Sequence, residues 1–333
     1  MFKANIYNSH SAEWQSGHAA DCKSVHAGSI PTSASINKHM HLSKVRKVII
    51  PVAGFGTRML PATKAIPKEL LPIYDKPLIQ YVVEEAMDAG IEEIILVTRS
   101  GKEAIENHFD KNYELEKALR LSDDKKSLKE IQSLLNKNLK ISSVRQESPL
   151  GLGHAILTAK LHINNEPFAV MLPDELLINK QKKSDLKKLL INFEKSGNSQ
   201  ILVEKILKKD VSRYGIVEFN RTKSTLDCIN VRNLLEKPNP SITSSRHRII
   251  GRYVLPYEVL ENLQIQKPGK NKEIQLTDAI NKLLKDKTSK IDAVISSSKV
   301  YDCGSKKGFI GANLEVAIKQ SKIKDYLKGI IMN

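Results

Sequence analysis

Cysteine is scarce in this chain, and its three residues, Cys22, Cys228 and Cys303, are odd in number and far apart. They build neither a disulfide framework nor a CxxC metal site. Such usage fits a reducing compartment, so a cytoplasmic location is expected. Aromatic residues make up only 5%, with a single Trp, which leaves little for stacking on nucleic-acid bases. No stretch reaches the roughly 18 uncharged apolar residues of a membrane-spanning helix, so no membrane role is expected. A secretory signal would need an apolar region of about 7 to 15 residues behind a basic start, and none is present. Acids are the minority charge: 37 Asp plus Glu stand against 53 Lys plus Arg, a net of +16 over 333 residues.

That basic excess is spread out. Lysines fall in pairs on amphipathic segments, as at Lys182, Lys183, Lys187 and Lys188, the pattern of a solvated helix face. No nucleic-acid motif accompanies them, and no nucleic-acid partner is expected. What the charge does imply is a general attraction for phosphorylated ligands. With 41% hydrophobic residues the chain can bury a sizeable core, as one large domain or two ordinary ones.

Residues 1–43 differ from the rest. They hold His10, His18, His26, His39 and His41 together with Trp14 and show no sustained apolar period. A disordered extension is expected there. A folded domain is expected over 44–325, with a short C-terminal tail at 326–333. The domain opens on Arg46 to Val52, a β-branched apolar run typical of a buried strand. Similar runs recur at Ile94 to Thr98, Ile141 to Gln146, Phe168 to Leu172 and Ser199 to Val203, separated by helical periods at Leu78 to Ala89 and Leu150 to Leu161. Alternation of this kind predicts an α/β fold with a mostly parallel sheet covered on both faces. Residues 110–138 are rich in Leu and Lys and predict an inserted helical excursion. Further strands are expected at Tyr214 to Phe219, Leu226 to Arg232, Arg248 to Leu255 and Ile291 to Ile295, with helices at Ile274 to Leu284 and Lys306 to Ile318.

The loop after the first strand, Ala53-Gly54-Phe55-Gly56-Thr57-Arg58, lies where open α/β sheets bind ligands, beyond the strands' carboxyl ends. It is not a dinucleotide fingerprint, because Met59 stands near the place of a third glycine, and it lacks the Gly-Lys-Ser/Thr ending of a Walker loop. Arg58 and Lys68 follow on a segment stiffened by Pro61, Pro67 and Pro72. Two readings fit these residues: a clamp in which backbone N–H groups and two cations neutralise a polyphosphate, or an ordinary basic surface loop.

The stretch from Pro51 to Tyr81 (PVAGFGTRMLPATKAIPKELLPIYDKPLIQY) resembles the signature of sugar-phosphate nucleotidylyltransferases, most closely the bacterial uridylyltransferases acting on glucose 1-phosphate. The resemblance continues through Arg145-Gln146, Gly151 to Ala155, Leu172 to Asp174, Glu236 to Pro238, Ile250 to Val254, Glu273 to Asp278 and Asp302 to Gly304. It covers about 44–325. It implies a Rossmann-like mixed sheet flanked by helices, with a smaller β-rich sugar-binding part. The implied activity is Mg²⁺-dependent transfer of a uridylyl group from UTP to glucose 1-phosphate, giving UDP-glucose and pyrophosphate by sequential in-line displacement. The alternative is thymidylyl transfer from dTTP. A homo-oligomer is expected.

The same resemblance implies the roles of individual residues. Arg58 would hold the departing pyrophosphate, Lys68 the α to γ phosphates and Lys237 the attacking sugar phosphate. Asp174 and Asp302 would bind the metal. Gln146 and Gly151 would read the base, with the Ala53 and Gly54 backbone on the same ring and Gly56 and Thr57 completing the nucleotide site. Glu236 and Gly215 would meet sugar hydroxyls. His154 is left outside the chemistry, since the attacking phosphate oxygen is already ionised at neutral pH. Phe55 stands where relatives commonly have leucine. Glu175 adds an acid beside Asp174, either altering the metal geometry or facing solvent.

Overall fold

In a computed structural model, the structure describes residues 44–133, 139–179, 184–220, 228–269, 272–285, 289–320, 323–326 and 329. The expected extension at 1–43, residues 134–138 of the helical excursion, the start of the strand expected from Leu226, and most of the tail at 326–333 lie outside the described residues.

The strands are β1 Lys47–Pro51, β2 Pro72–Ile73, β3 Lys76–Pro77, β4 Glu93–Thr98, β5 Lys140–Arg145, β6 Phe168–Met171 and β7 Glu175–Ile178. They continue with β8 Ser199–Lys205, β9 Gly215–Phe219, β10 Cys228–Glu236, β11 His247–Leu255, β12 Ile291–Ile295 and β13 Lys299–Asp302. The helices are α1 Leu78–Ala89, α2 Glu103–Phe109, α3 Tyr113–Leu121, α4 Lys125–Ser133 and α5 Leu152–Thr158. After them come α6 Lys160–Ile163, α7 Asp185–Ser196, α8 Glu258–Gln264, α9 Leu276–Lys285 and α10 Lys306–Ile318.

Among the described residues, nine strands form one mixed sheet in the order β5-β4-β1-β6-β11-β8-β12-β10-β9. The first four positions are parallel neighbours, and antiparallel pairing enters with β11. Strand β1 shows why a continuous apolar run belongs at the centre. Ile49 packs into the core on one face of the sheet, while Val48 and Ile50 pack into the core on the other. Helices α5, α8 and α9 cover the first face; α1 and α7 cover the second. The described part of the helical excursion forms α3 and α4. No helix among the described residues is long and apolar enough to cross a membrane.

The helix ends follow local chemistry. Helix α1 stops at Gly90, whose φ of 93° is the left-handed cap that glycine adopts most easily. The hydroxyls of Ser184 and Ser305 accept from Lys187 and Gly308 N–H, capping α7 and α10.

One pairing was not visible in the sequence pattern. The four-residue strands β7 and β13 pair antiparallel, setting Asp302 opposite Glu175. Leu176, Tyr301 and Ala312 seal this ribbon onto α10.

Candidate active site

Three of the functional segments leave the carboxyl ends of parallel strands: the glycine loop after β1, Gln146 after β5 and Asp174 after β6. They surround two cavities. The smaller, about 320 Å³, is lined by Ala53, Gly54, Lys68, Gln146 and Gly151. The larger, about 710 Å³, is lined by Thr57, Arg58, Gly215, Glu236, Lys237 and Asp302. Asp174 belongs to the wall of both, with Leu152, Leu172 and Glu273. Every residue to which the resemblance gives a role therefore borders this double cleft except Gly56, which lines neither. Its backbone, at φ 71°, turns the loop, and an added Cβ there would lie 3.3 Å from both Lys68 and Thr63 side chains.

The cations converge on Asp174. Lys68 Nζ donates to Asp174 Oδ2 at 2.7 Å and Arg58 Nη2 to the same oxygen at 3.5 Å. Burial opposes the charge on Lys68, but Asp174, and Glu69 behind it, hold the ammonium above the ordinary lysine range. Burial likewise opposes the charge on Asp174, and Lys68 overcomes it, so the carboxyl stays below its usual range. Both groups thus remain ionised at neutral pH.

Asp302 reaches the site through the β7–β13 pairing, and Cys303 N–H donates to the Asp174 carbonyl at 2.8 Å. The space between the two aspartates exists because residue 304 is glycine. A Cβ on Gly304 would lie 2.5 Å from Arg58 Nη2, 2.7 Å from Asp174 Oδ2 and 3.1 Å from Asp302 Oδ1. Two carboxylates facing one cradle suit a hard cation that takes few protein oxygens and shares substrate phosphates. No group of three or more His, Cys, Asp or Glu poised for a metal occurs among the described residues, and a metal held in this way needs none.

In the larger cavity Glu236 and Gly215 are opposite partners in the β9–β10 pairing. A Cβ on Gly215 would stand 3.1 Å from Ile249 and 3.5 Å from the Glu236 carboxylate, so a side chain would narrow the cavity there. Lys237 follows at φ 43°, a left-handed conformation costly for a residue with a side chain and common at functional sites. Its ammonium lies 3.4 Å from Glu236 Oε1 and is half exposed.

Several contributors escaped sequence reasoning. Arg213 Nη2 lies 3.6 Å from Asp302 Oδ2, and Tyr214 Oη donates to the same oxygen at 3.4 Å. Their position immediately before Gly215 was the available signal. Behind Lys68, Glu69 is fully buried and accepts from Lys102 Nζ at 2.6 Å, while its Oε1 has no hydrogen-bond partner and sits 4.0 Å from Lys68 Nζ. Glu175 fits neither expectation stated for it: the carboxylate is buried, ion-paired with Arg248 at 2.5 Å, and accepts the Gly251 N–H. It borders the larger cavity, with its carboxylate engaged by Arg248 and the Gly251 backbone beneath the turn that carries Asp174. Phe55 is exposed with the Arg99 guanidinium 4.3 Å over its ring.

A family model described as nucleotidyl transferase matches residues 47–319. A relative from Streptococcus pyogenes serotype M3, named UTP–glucose-1-phosphate uridylyltransferase 2, is 44% identical over 293 residues, 87% of this chain and 96% of the relative. Among solved structures, a UTP-bound UGPase from Acinetobacter baumannii is 39% identical with a TM-score of 0.79, covering 87% of this chain and 99% of its own. A UDP-glucose pyrophosphorylase complexed with UDP-glucose is 40% identical with a TM-score of 0.75, covering 83% of this chain and 100% of its own.

Proposed function

The chain belongs to the nucleotidyl transferase family, and from that premise we propose that it transfers the uridylyl group of UTP to glucose 1-phosphate, releasing pyrophosphate and UDP-glucose. The observation that carries the reading is the double cleft, whose two cavities meet at Asp174 with Arg58 and Lys68 at the junction. A nucleotide in the smaller cavity and a sugar phosphate in the larger would bring their phosphates together there.

The reaction joins two anions, so the protein must offset their repulsion and hold three centres in line. Lys237 grips the phosphate of glucose 1-phosphate at one end, and Glu236 accepts hydrogen bonds from the sugar. Lys68 binds the α to γ phosphates and Arg58 the pyrophosphate end. An oxygen of the sugar phosphate forms a bond to the α-phosphorus. The bond from that phosphorus to the bridging oxygen breaks, and its electron pair departs with pyrophosphate. No proton has to move. Asp174 and Asp302 would hold Mg²⁺, which when bound supplies Lewis-acid polarisation of the α-phosphate.

Pyrophosphate release measured with UTP and dTTP side by side, each with glucose 1-phosphate and Mg²⁺, tests this reading. UTP is expected to be favoured by about tenfold or more in kcat/KM. A dTTP preference of that size would move the enzyme to the thymidylyl class, and no release with either would remove the proposal.

A further inference from the structure

Gln146 is 8% exposed and borders the smaller cavity. Its amide nitrogen has two partners: the Gly151 carbonyl at 3.4 Å and His154 Nδ1 at 2.9 Å. A carbonyl oxygen can only accept, so the end of the amide facing Gly151 must be the NH₂. It follows that His154 Nδ1 also accepts, which places the imidazole proton on Nε2. Both amide hydrogens are then spent inside the protein. The Gln146 Oε1 is the polar atom left for the cavity, and it accepts no hydrogen bond from any described residue.

We infer that His154, through its Nδ1 lone pair, fixes the polarity of the Gln146 amide and so makes the site selective for a base with an imide N–H over one with a ring-nitrogen acceptor at the same edge. Uracil offers N3–H to the fixed oxygen. Cytosine offers an N3 lone pair, which faces that oxygen without a proton between them. Were the amide free to turn by 180°, its NH₂ could meet cytosine N3 and the discrimination would fall. His154 acts here as a positioning residue: it touches Gln146, and the cavity lining does not include it. The backbone supports the arrangement. Gly151, at φ 98°, is the N-cap of α5, and about one helical turn separates its carbonyl from the His154 side chain, so loop and helix hold the amide from two sides. An electrostatic site of this kind leaves one polar group mispaired when the wrong base enters, which discriminates more strongly than shape alone.

This inference rests on the uridylyl reading, and its test separates the two. Steady-state kcat/KM with UTP and with CTP, each with glucose 1-phosphate, is measured for the wild type, His154→Phe and His154→Asn. Phenylalanine keeps a ring but no acceptor, whereas asparagine returns an acceptor near the position of Nδ1. The UTP to CTP ratio is expected to fall about tenfold or more in His154→Phe, mainly through the UTP KM, and to stay within about threefold of wild type in His154→Asn. An unchanged ratio in His154→Phe, even with slower turnover on UTP, overturns the inference and leaves the uridylyl function standing. Wild-type enzyme that does not turn over UTP overturns both. Should His154→Phe fail to fold, the ¹⁵N shifts of His154 in the wild type still decide: a protonated Nε2 and bare Nδ1 support the assignment, and the opposite tautomer contradicts it.

Discussion

Asp174 meets Lys68 at 2.7 Å and Arg58 at 3.5 Å, while its other surroundings are the Gly304 cradle and the walls of both cavities. Asp174→Asn keeps the size and a hydrogen-bonding oxygen but removes the charge. It is expected to lower kcat by about two to three orders of magnitude with the melting curve preserved; a rate near wild type would contradict the role given to this carboxylate. Glu175, one residue on, tests the opposite property. Glu175→Gln leaves the Arg248 guanidinium buried with Glu204 as its remaining carboxylate. Loss of one partner of a buried pair costs about 3–5 kcal/mol, to be read from the denaturant midpoint. The sequence showed two adjacent acids. Only the fold separates them: both border the larger cavity, but Asp174 meets Lys68 and Arg58, whereas Glu175 pairs with Arg248 and accepts the Gly251 N–H.

Helix α5 borders the smaller cavity, where the proposal puts the nucleotide, and its position depends on Gly153. That residue's N–H donates to the Ile274 carbonyl at 2.8 Å, and a Cβ there would lie 2.6 Å from the same oxygen and 2.7 Å from Leu263. Gly153→Ala is expected to push α5 outward, costing about 1–3 kcal/mol of stability and raising the UTP KM because Gly151 and His154 move with the helix. Thermal unfolding and UTP titration measured together check this, and an unaltered KM would detach α5 from base recognition. At this scale the central strands were legible, since a run such as Val48 to Ile50 is buried on both faces and has no polar alternation to confuse its period. Pairing of β7 with β13 was not legible. Each strand has four residues, their partners lie far apart in sequence, and neither shows a period long enough to set a register. Yet that ribbon brings Asp302 beside Asp174, and only the family resemblance joined those two residues beforehand. The Gln146–His154 contact was hidden for a related reason: it depends on how a loop meets the first turn of a helix.

For the molecule as a whole, acid is expected to weaken the fold. Burial holds His108 below the ordinary imidazole range, and burial together with Lys205 and Arg246 does the same for His247. Below the unfolded imidazole value of about 6.5 the unfolded chain takes up these protons more readily than the native one. Stability is therefore lost as pH falls through that value and levels off below the folded pKa values. The melting temperature should drop between about pH 7.5 and pH 5.5, and the drop should be smaller in a His108→Gln/His247→Gln double variant. Equal drops would assign the acid sensitivity to other groups.

The division of the cleft into a nucleotide half and a sugar-phosphate half is the claim on which the functional account turns, and Lys237 tests it most directly. This residue lines only the larger cavity. The KM of Lys237→Met is therefore measured separately for each substrate. A rise of about tenfold or more for glucose 1-phosphate, with the UTP KM within about twofold of wild type, is the result the account predicts. An equal rise for both substrates, or one confined to UTP, would contradict it.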